Sequence, residues 1–130
     1  RLNGFSIEDH PVIDADVFQY LRDLRESFDL IILDPPAFAK TKRDVPKASR
    51  GYKEINMQAM KHLVRGGMLA TFSCSNFIEE ELFCKIVQGA AGDAQVDLQL
   101  LARLAAGPDH PLCLGHPEGR YLKGLLVRKL

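Results

Sequence analysis

Two side chains have the type and the setting for covalent chemistry. Cys74 follows the apolar run Met68-Leu69-Ala70-Thr71-Phe72-Ser73 and precedes the acids Glu79-Glu80-Glu81, which signal the first turn of a helix. A thiol at a strand tip, ahead of a helix, is placed to act as a nucleophile. The competing reading is a small apolar side chain packed into a core. Asp34 follows the unbroken apolar run Leu30-Ile31-Ile32-Leu33 and precedes Pro35-Pro36-Ala37-Phe38. An acid there either meets a ligand or caps a turn. Cys84 falls inside a helical pattern and Cys113 inside a late loop, so both read as incidental. His10, His62, His110 and His116 show no ligand spacing with the cysteines, and no metal site is expected.

The elements around these residues explain why the two tips should meet. A run such as residues 30–33, apolar without alternation, reads as a strand buried on both faces, as in a parallel sheet. Pro35 and Pro36 cannot donate to a ladder and end the pairing, which leaves Asp34 at the C-terminal tip. Residues 68–73 form a second such strand, ending at Cys74. In open α/β sheets ligands bind at this carboxyl edge. Before the first run, residues 12–16 read as a short strand, and Asp16 as the N-cap of a helix through Tyr20, Leu21 and Leu24. Residues 39–50 read as a polar loop carrying Lys40, Lys42, Arg43, Lys47 and Arg50 against one acid, Asp44. That cluster is either a solvated surface or a contact for phosphates. Residues 52–64 have helical periodicity, closed by Arg65-Gly66-Gly67 as a glycine cap. A further helix runs to about residue 90. Residues 96–104 suit either period, residues 107–119 form a loop, and residues 121–128 form the last strand. Strand and helix alternate, so the class is α/β with a mostly parallel sheet.

Four blocks occur in order: Asp34-Pro35-Pro36-Ala37-Phe38, Arg50-Gly51-Tyr52-Lys53, Thr71-Phe72-Ser73-Cys74-Ser75, and Pro117-Glu118-Gly119-Arg120-Tyr121-Leu122-Lys123-Gly124. The first resembles motif IV of class I methyltransferases that use S-adenosylmethionine (SAM). Together they resemble the C-terminal half of large-subunit ribosomal RNA 5-methylcytosine methyltransferases of the RlmI type, over nearly the whole chain. The resemblance implies a partial Rossmann-like class I sheet, mostly parallel with the last strand antiparallel and residues 96–104 a strand, and with the first two strands absent. It implies SAM as cofactor and ribosomal RNA as partner. It makes Cys74 the nucleophile that adds to C6 of cytosine and Asp34 the acid that orients the base. Asp16 would meet the adenine amine of SAM, and Asp34 and Pro35 would line its methionine side. Pro36, Phe38, Lys40, Arg50, Tyr52 and Lys53 would contact the substrate, Phe38 by stacking on a flipped base. The sequence holds no Gly-x-Gly for the cofactor loop, so it reads as a fragment, expected to bind SAM weakly and to be inactive by itself.

The chain of 130 residues is expected to be one domain, and 46% hydrophobic residues suffice for a packed core. A net charge of zero excludes a bulk electrostatic case for nucleic acid, so any RNA contact must be local. Three cysteines without paired spacing predict free thiols and a cytoplasmic protein. No membrane span is expected. If the strands before residue 30 are absent, that strand exposes an edge, and self-association is expected. Other functions stay open. One is an amino-group methyltransferase, although its aromatic residue usually follows the second proline directly and here Ala37 intervenes. Another is an inactive fragment serving as an RNA or protein interaction module. The apolar strand ending in an acid also looks like a nucleotide-hydrolase strand, but no phosphate-binding Gly-x-x-x-x-Gly-Lys motif accompanies it.

Overall fold

Burial on one face of the sheet organises the computed structural model, which describes residues 3–6, 8–111, 113, 115, 119 and 121–130. In chain order the elements are α1 (Val17–Asp23), β1 (Phe28–Leu33), a 3-10 turn (Lys42–Asp44), α2 (Val45–Lys61), β2 (Leu63–Ser73), α3 (Glu80–Ala94), β3 (Leu98–Leu104) and β4 (Lys123–Lys129). The strands form one sheet in the order β1-β2-β4-β3. β1 and β2 are parallel, and β4 is antiparallel to both β2 and β3. Three strands therefore point one way, and only the last runs against them. This is the expected α/β arrangement, in a mixed sheet of four strands.

Tyr52, Ile55 and Met60 of α2 and Phe83 and Ile86 of α3 are buried against Leu69, Leu125 and Val127 of the sheet. The alternation along β2 divides its two faces: Leu69, Thr71 and Ser73 are buried under the helices, and Met68, Ala70 and Phe72 are half-buried on the other side. Leu30 and Ile32 of β1 lie on that outer side with 48% and 68% of their surface exposed.

Residues 30–33 form a strand but not one buried on both faces, because the helices cover only one side of the sheet and Leu30 and Ile32 stay exposed on the other. Three further expectations fail, each for a local reason. Residues 12–16 form no strand, and Val12 is 94% exposed. Among the described residues no strand lies beside residues 12–16 to pair with them, since β1 pairs only with β2. Asp16 does cap α1 as expected, its Oδ1 accepting from the Gln19 N–H at 2.9 Å. Residues 39–50 are mostly not loop. Asp44 Oδ2 accepts from the Thr41 N–H at 2.8 Å and from its hydroxyl at 2.9 Å, which folds the 3-10 turn. Pro46 then sits in the first turn of α2, where a missing N–H costs nothing. Finally, Gly66 and Gly67 do not cap a helix. α2 stops at Lys61, and the glycines form a bulge inside β2, with Gly66 at φ +81°. A Cβ on Gly67 would stand 2.9 Å from the Val64 carbonyl and 3.1 Å from that of Phe28, so only glycine fits that approach.

Candidate active site

The last pairs of the ladder place the two reactive candidates together. Leu33 pairs with Thr71, so Asp34 leaves β1 beside the segment that carries Cys74 out of β2. Asp34 is exposed, Pro35 is buried and Cys74 is half-buried. The Cys74 thiol points back at the proline segment, with Sγ 3.8 Å from the Pro35 carbonyl oxygen, a weak contact in which the thiol donates. The acid and the thiol thus share the carboxyl edge of neighbouring strands. Because α3 begins only at Glu80, Cys74 lies outside its first turn.

Ser75 fixes this geometry. It is fully buried, and its hydroxyl oxygen accepts from the Ala39 N–H at 3.2 Å and is joined to the Tyr52 hydroxyl at 2.9 Å. Its carbonyl receives the Lys123 ammonium at 2.6 Å. One residue therefore ties the proline segment, α2 and β4 to the turn that presents the thiol. Lys123 is itself 8% exposed and pairs with Ser73 at the end of the ladder. Burial pushes its pKa down, and charge on Cys74 opposes that effect. A hollow of about 490 Å³ opens beside Lys123 at the same edge, with Asn76, Glu79, Glu80, His110 and Leu122 in its wall.

The expected substrate contacts separate into two groups. Tyr52 is 0% exposed, so it cannot touch RNA. Its ring lies 4.6 Å from Phe38 and 5.7 Å from Phe83, and its hydroxyl serves Ser75. Lys53 is committed elsewhere, its Nζ 2.7 Å from a carboxylate oxygen of Asp93 in the last turn of α3. Both were expected from the motif; both belong to the scaffold because that side of α2 turns toward α3 and the core. Phe38 is half-buried and packed on one side by Tyr52. It shares a groove of about 250 Å³ with Phe18, Lys47, Ala48 and Gly51. Pro36, Lys40 and Arg50 are exposed, as are Lys42, Arg43 and Lys47. Pro117, Glu118 and Arg120 of the fourth motif, and His116, lie outside the described residues. Sequence reasoning assigned nothing to Ser75 or Lys123. The available signal is a lysine directly ahead of the apolar run Gly124-Leu125-Leu126-Val127.

Among the described residues no cluster of three histidine, cysteine or acidic side chains could hold a metal ion, and Cys74, Cys84 and Cys113 are all free thiols. No helix among them is long and apolar enough to cross a membrane.

No family model matches the chain. Curated relatives do. Ribosomal RNA large subunit methyltransferase I of Aeromonas salmonicida is 51% identical over 98% of this chain and 33% of its own length. The protein of the same name from Pseudoalteromonas atlantica is 50% identical over 91% of this chain and 31% of its own length. The chain thus spans about a third of the length of the curated relatives it matches. Among solved structures, SMU.776 complexed with SAH superposes with a TM-score of 0.66 at 21% identity, covering 95% of this chain and 30% of that one. A methyltransferase homologue from Pyrococcus horikoshii gives 0.61 at 22% identity, covering 85% and 42%. Over nearly its whole length the chain is therefore homologous to a stretch of the ribosomal RNA large subunit methyltransferase I proteins, and it has the α/β fold of class I SAM-dependent methyltransferases.

Proposed function

We propose that this stretch supplies the nucleophile and the base-orienting acid of an enzyme that methylates C5 of a cytosine in large-subunit ribosomal RNA. The observation that carries the reading is the shared strand edge, with Asp34 exposed beside a Cys74 thiol that is held in place. Carbon 5 of cytosine is a poor nucleophile. Addition of the Cys74 thiolate to C6 pushes the C5–C6 π electrons toward C4 and N3, and the negative charge arising at N3 is relieved when a protonated Asp34 donates its proton there, leaving an enamine whose C5 is nucleophilic. C5 then forms its bond to the incoming methyl group, the C5 proton leaves to a base, and the C6–S bond breaks to return the thiolate. When bound, SAM supplies a methyl group made electrophilic by its sulfonium. The residues here fit one flank of that cofactor: the exposed Asp34 and the rigid, buried Pro35 at the tip, and Asp16, which uses only Oδ1 in capping α1. The exposed Lys40, Lys42, Arg43, Lys47 and Arg50 at the start of α2 suit phosphate contacts, and the Phe38 groove suits the face of a base or sugar.

The test replaces Cys74 by Ala in a protein of the relatives' full length that carries this stretch, with ribosomal RNA as substrate and mass spectrometry of the nucleosides as readout. A drop in C5 methylation of about 10³-fold or more is expected, since covalent catalysis has no bypass. C5 methylation within about tenfold of the parent would remove the thiol from the mechanism, and a nucleoside methylated on its amino group, formed by parent and variant alike, would make amino-group transfer the better reading.

A further inference from the structure

A lysine this deeply buried is unusual. Lysines are almost never fully buried unless paired, because moving an ammonium out of water without an anionic partner is costly. Lys123 is 8% exposed, and among the described residues no carboxylate forms a salt bridge with it. One of its three N–H bonds goes to the Ser75 carbonyl at 2.6 Å. That carbonyl belongs to the residue directly after Cys74, and the strand partner of Lys123 is Ser73, directly before it. Lys123 is therefore tied to the backbone on both sides of the thiol, its main chain paired with Ser73 and its ammonium bonded to the Ser75 carbonyl.

We infer that Lys123 is a positioning residue for Cys74: it locks the turn that presents the thiol and holds a fixed positive charge beside the sulfur, so that the thiolate is the compensating anion. The inference rests on the reading of Cys74 as nucleophile. Burial works against the Lys123 ammonium, and charge on Cys74 opposes that effect. Among the described residues, the other charged and titratable groups around Lys123 are Glu79 and Glu80 ahead of and in the first turn of α3, and His110 from the late loop, all in the wall of the same hollow. Asp34 follows β1 at the same edge of the sheet, exposed, while the thiol itself meets the Pro35 carbonyl. In the proposed reaction the sulfur is anionic twice, before it bonds to C6 and after it leaves. Lys123 makes and breaks no covalent bond, and its contribution is to both of those states.

The experiment measures the thiol without methyl transfer. In this chain with Cys84→Ser and Cys113→Ser, alkylation of Cys74 by iodoacetamide is followed from pH 6 to pH 9. Lys123→Met is expected to slow alkylation at pH 7 by about tenfold, the size of a modest charge–charge effect, and Lys123→Arg to restore most of the rate. Circular dichroism reports whether each variant is folded. A second measurement needs no change at Lys123. Blocking Cys74 as its S-methyl disulfide removes the anion, and the ¹³Cε resonance of Lys123 should then titrate at lower pH than in the free thiol. A purely structural lysine would show no such response. An unchanged alkylation profile in folded Lys123→Met, or an unchanged Lys123 titration on blocking, overturns the inference. If both effects appear but Cys74→Ala leaves methyl transfer intact, the coupling stands and the nucleophile reading fails.

Discussion

Ser75→Ala is the change to which the site should be most sensitive without touching a reacting atom. The hydroxyl it removes is the partner of two buried groups, the Ala39 N–H at 3.2 Å and the Tyr52 hydroxyl at 2.9 Å. Ala39 is 3% exposed and Tyr52 is 0% exposed, so water cannot replace the lost oxygen. A buried polar group left unpaired costs about 1–3 kcal/mol, which puts two of them at about 2–6 kcal/mol. That is a large part of the roughly 5–15 kcal/mol that holds a domain folded. Tyr52→Phe removes only one partner. The Ser75 oxygen still accepts from Ala39, and the expected cost is about 1 kcal/mol. In the double variant the tyrosine hydroxyl no longer exists to be orphaned. The two losses should therefore fall short of additivity by about 1–2 kcal/mol. Urea unfolding followed by far-ultraviolet circular dichroism measures all four corners of this cycle, provided the slope with denaturant stays constant. If Ser75→Ala costs less than about 0.5 kcal/mol, or if the cycle is additive within that margin, Ser75 does not hold the site together.

Two further outcomes follow from the charge and exposure of particular residues. The Asp44 carboxyl is held below its ordinary value of 3.8, first by the hydrogen bond from the Thr41 hydroxyl and then by the Thr41 amide. A depressed carboxyl contributes order above its unfolded value that is lost as pH falls through the folded one. The amide shift of Thr41 should therefore stay constant from neutral pH down to about 4 and move below that, and Asp44→Asn should abolish the step; a Thr41 amide indifferent to both changes would refute this. β1 pairs on one side only among the described residues, with Leu30 and Ile32 exposed beside its free edge. This chain should self-associate at roughly tens of micromolar in sedimentation, and Ile32→Lys should weaken that, because a charge on an edge strand opposes edge-to-edge pairing; a parent chain that remains monomeric there would refute it.

The two strands that matter most were legible because nothing local competes with an unbroken apolar run. Residues 30–33 and 68–73 are both strands, and the residues that end them fall at the sheet's edge, but the unbroken run also implied two covered faces, whereas Leu30 and Ile32 lie exposed because the helices cover one side only. The misread segments are those where two local signals conflict. In residues 39–50 the density of Lys and Arg reads as loop, yet Ala48, Tyr52 and Ile55 recur at helical spacing and are buried. The Thr41–Asp44 pair that starts the helix was in plain view. Gly66-Gly67 satisfies the pattern of a helix cap, but its conformation is set by the carbonyls of Phe28 and Asp29, which no local window contains.

The site shows a more general limit, which follows from direction rather than composition. A motif names residues without saying which end of a side chain is in use. The block Arg50-Gly51-Tyr52-Lys53 implies a substrate role for Tyr52, although its hydroxyl is spent on Ser75 and its ring on the core. The last block implies no role for Lys123, yet its position follows from topology. If the last strand runs antiparallel to the strand ending at Cys74, its first residue must return to the edge where that strand ends. The ladder pair Ser73–Lys123 is that consequence made concrete. A buried lysine tied to the residues on either side of Cys74 is thus a product of topology, and the last strand reverses direction at the point where the proposed chemistry can use its first residue.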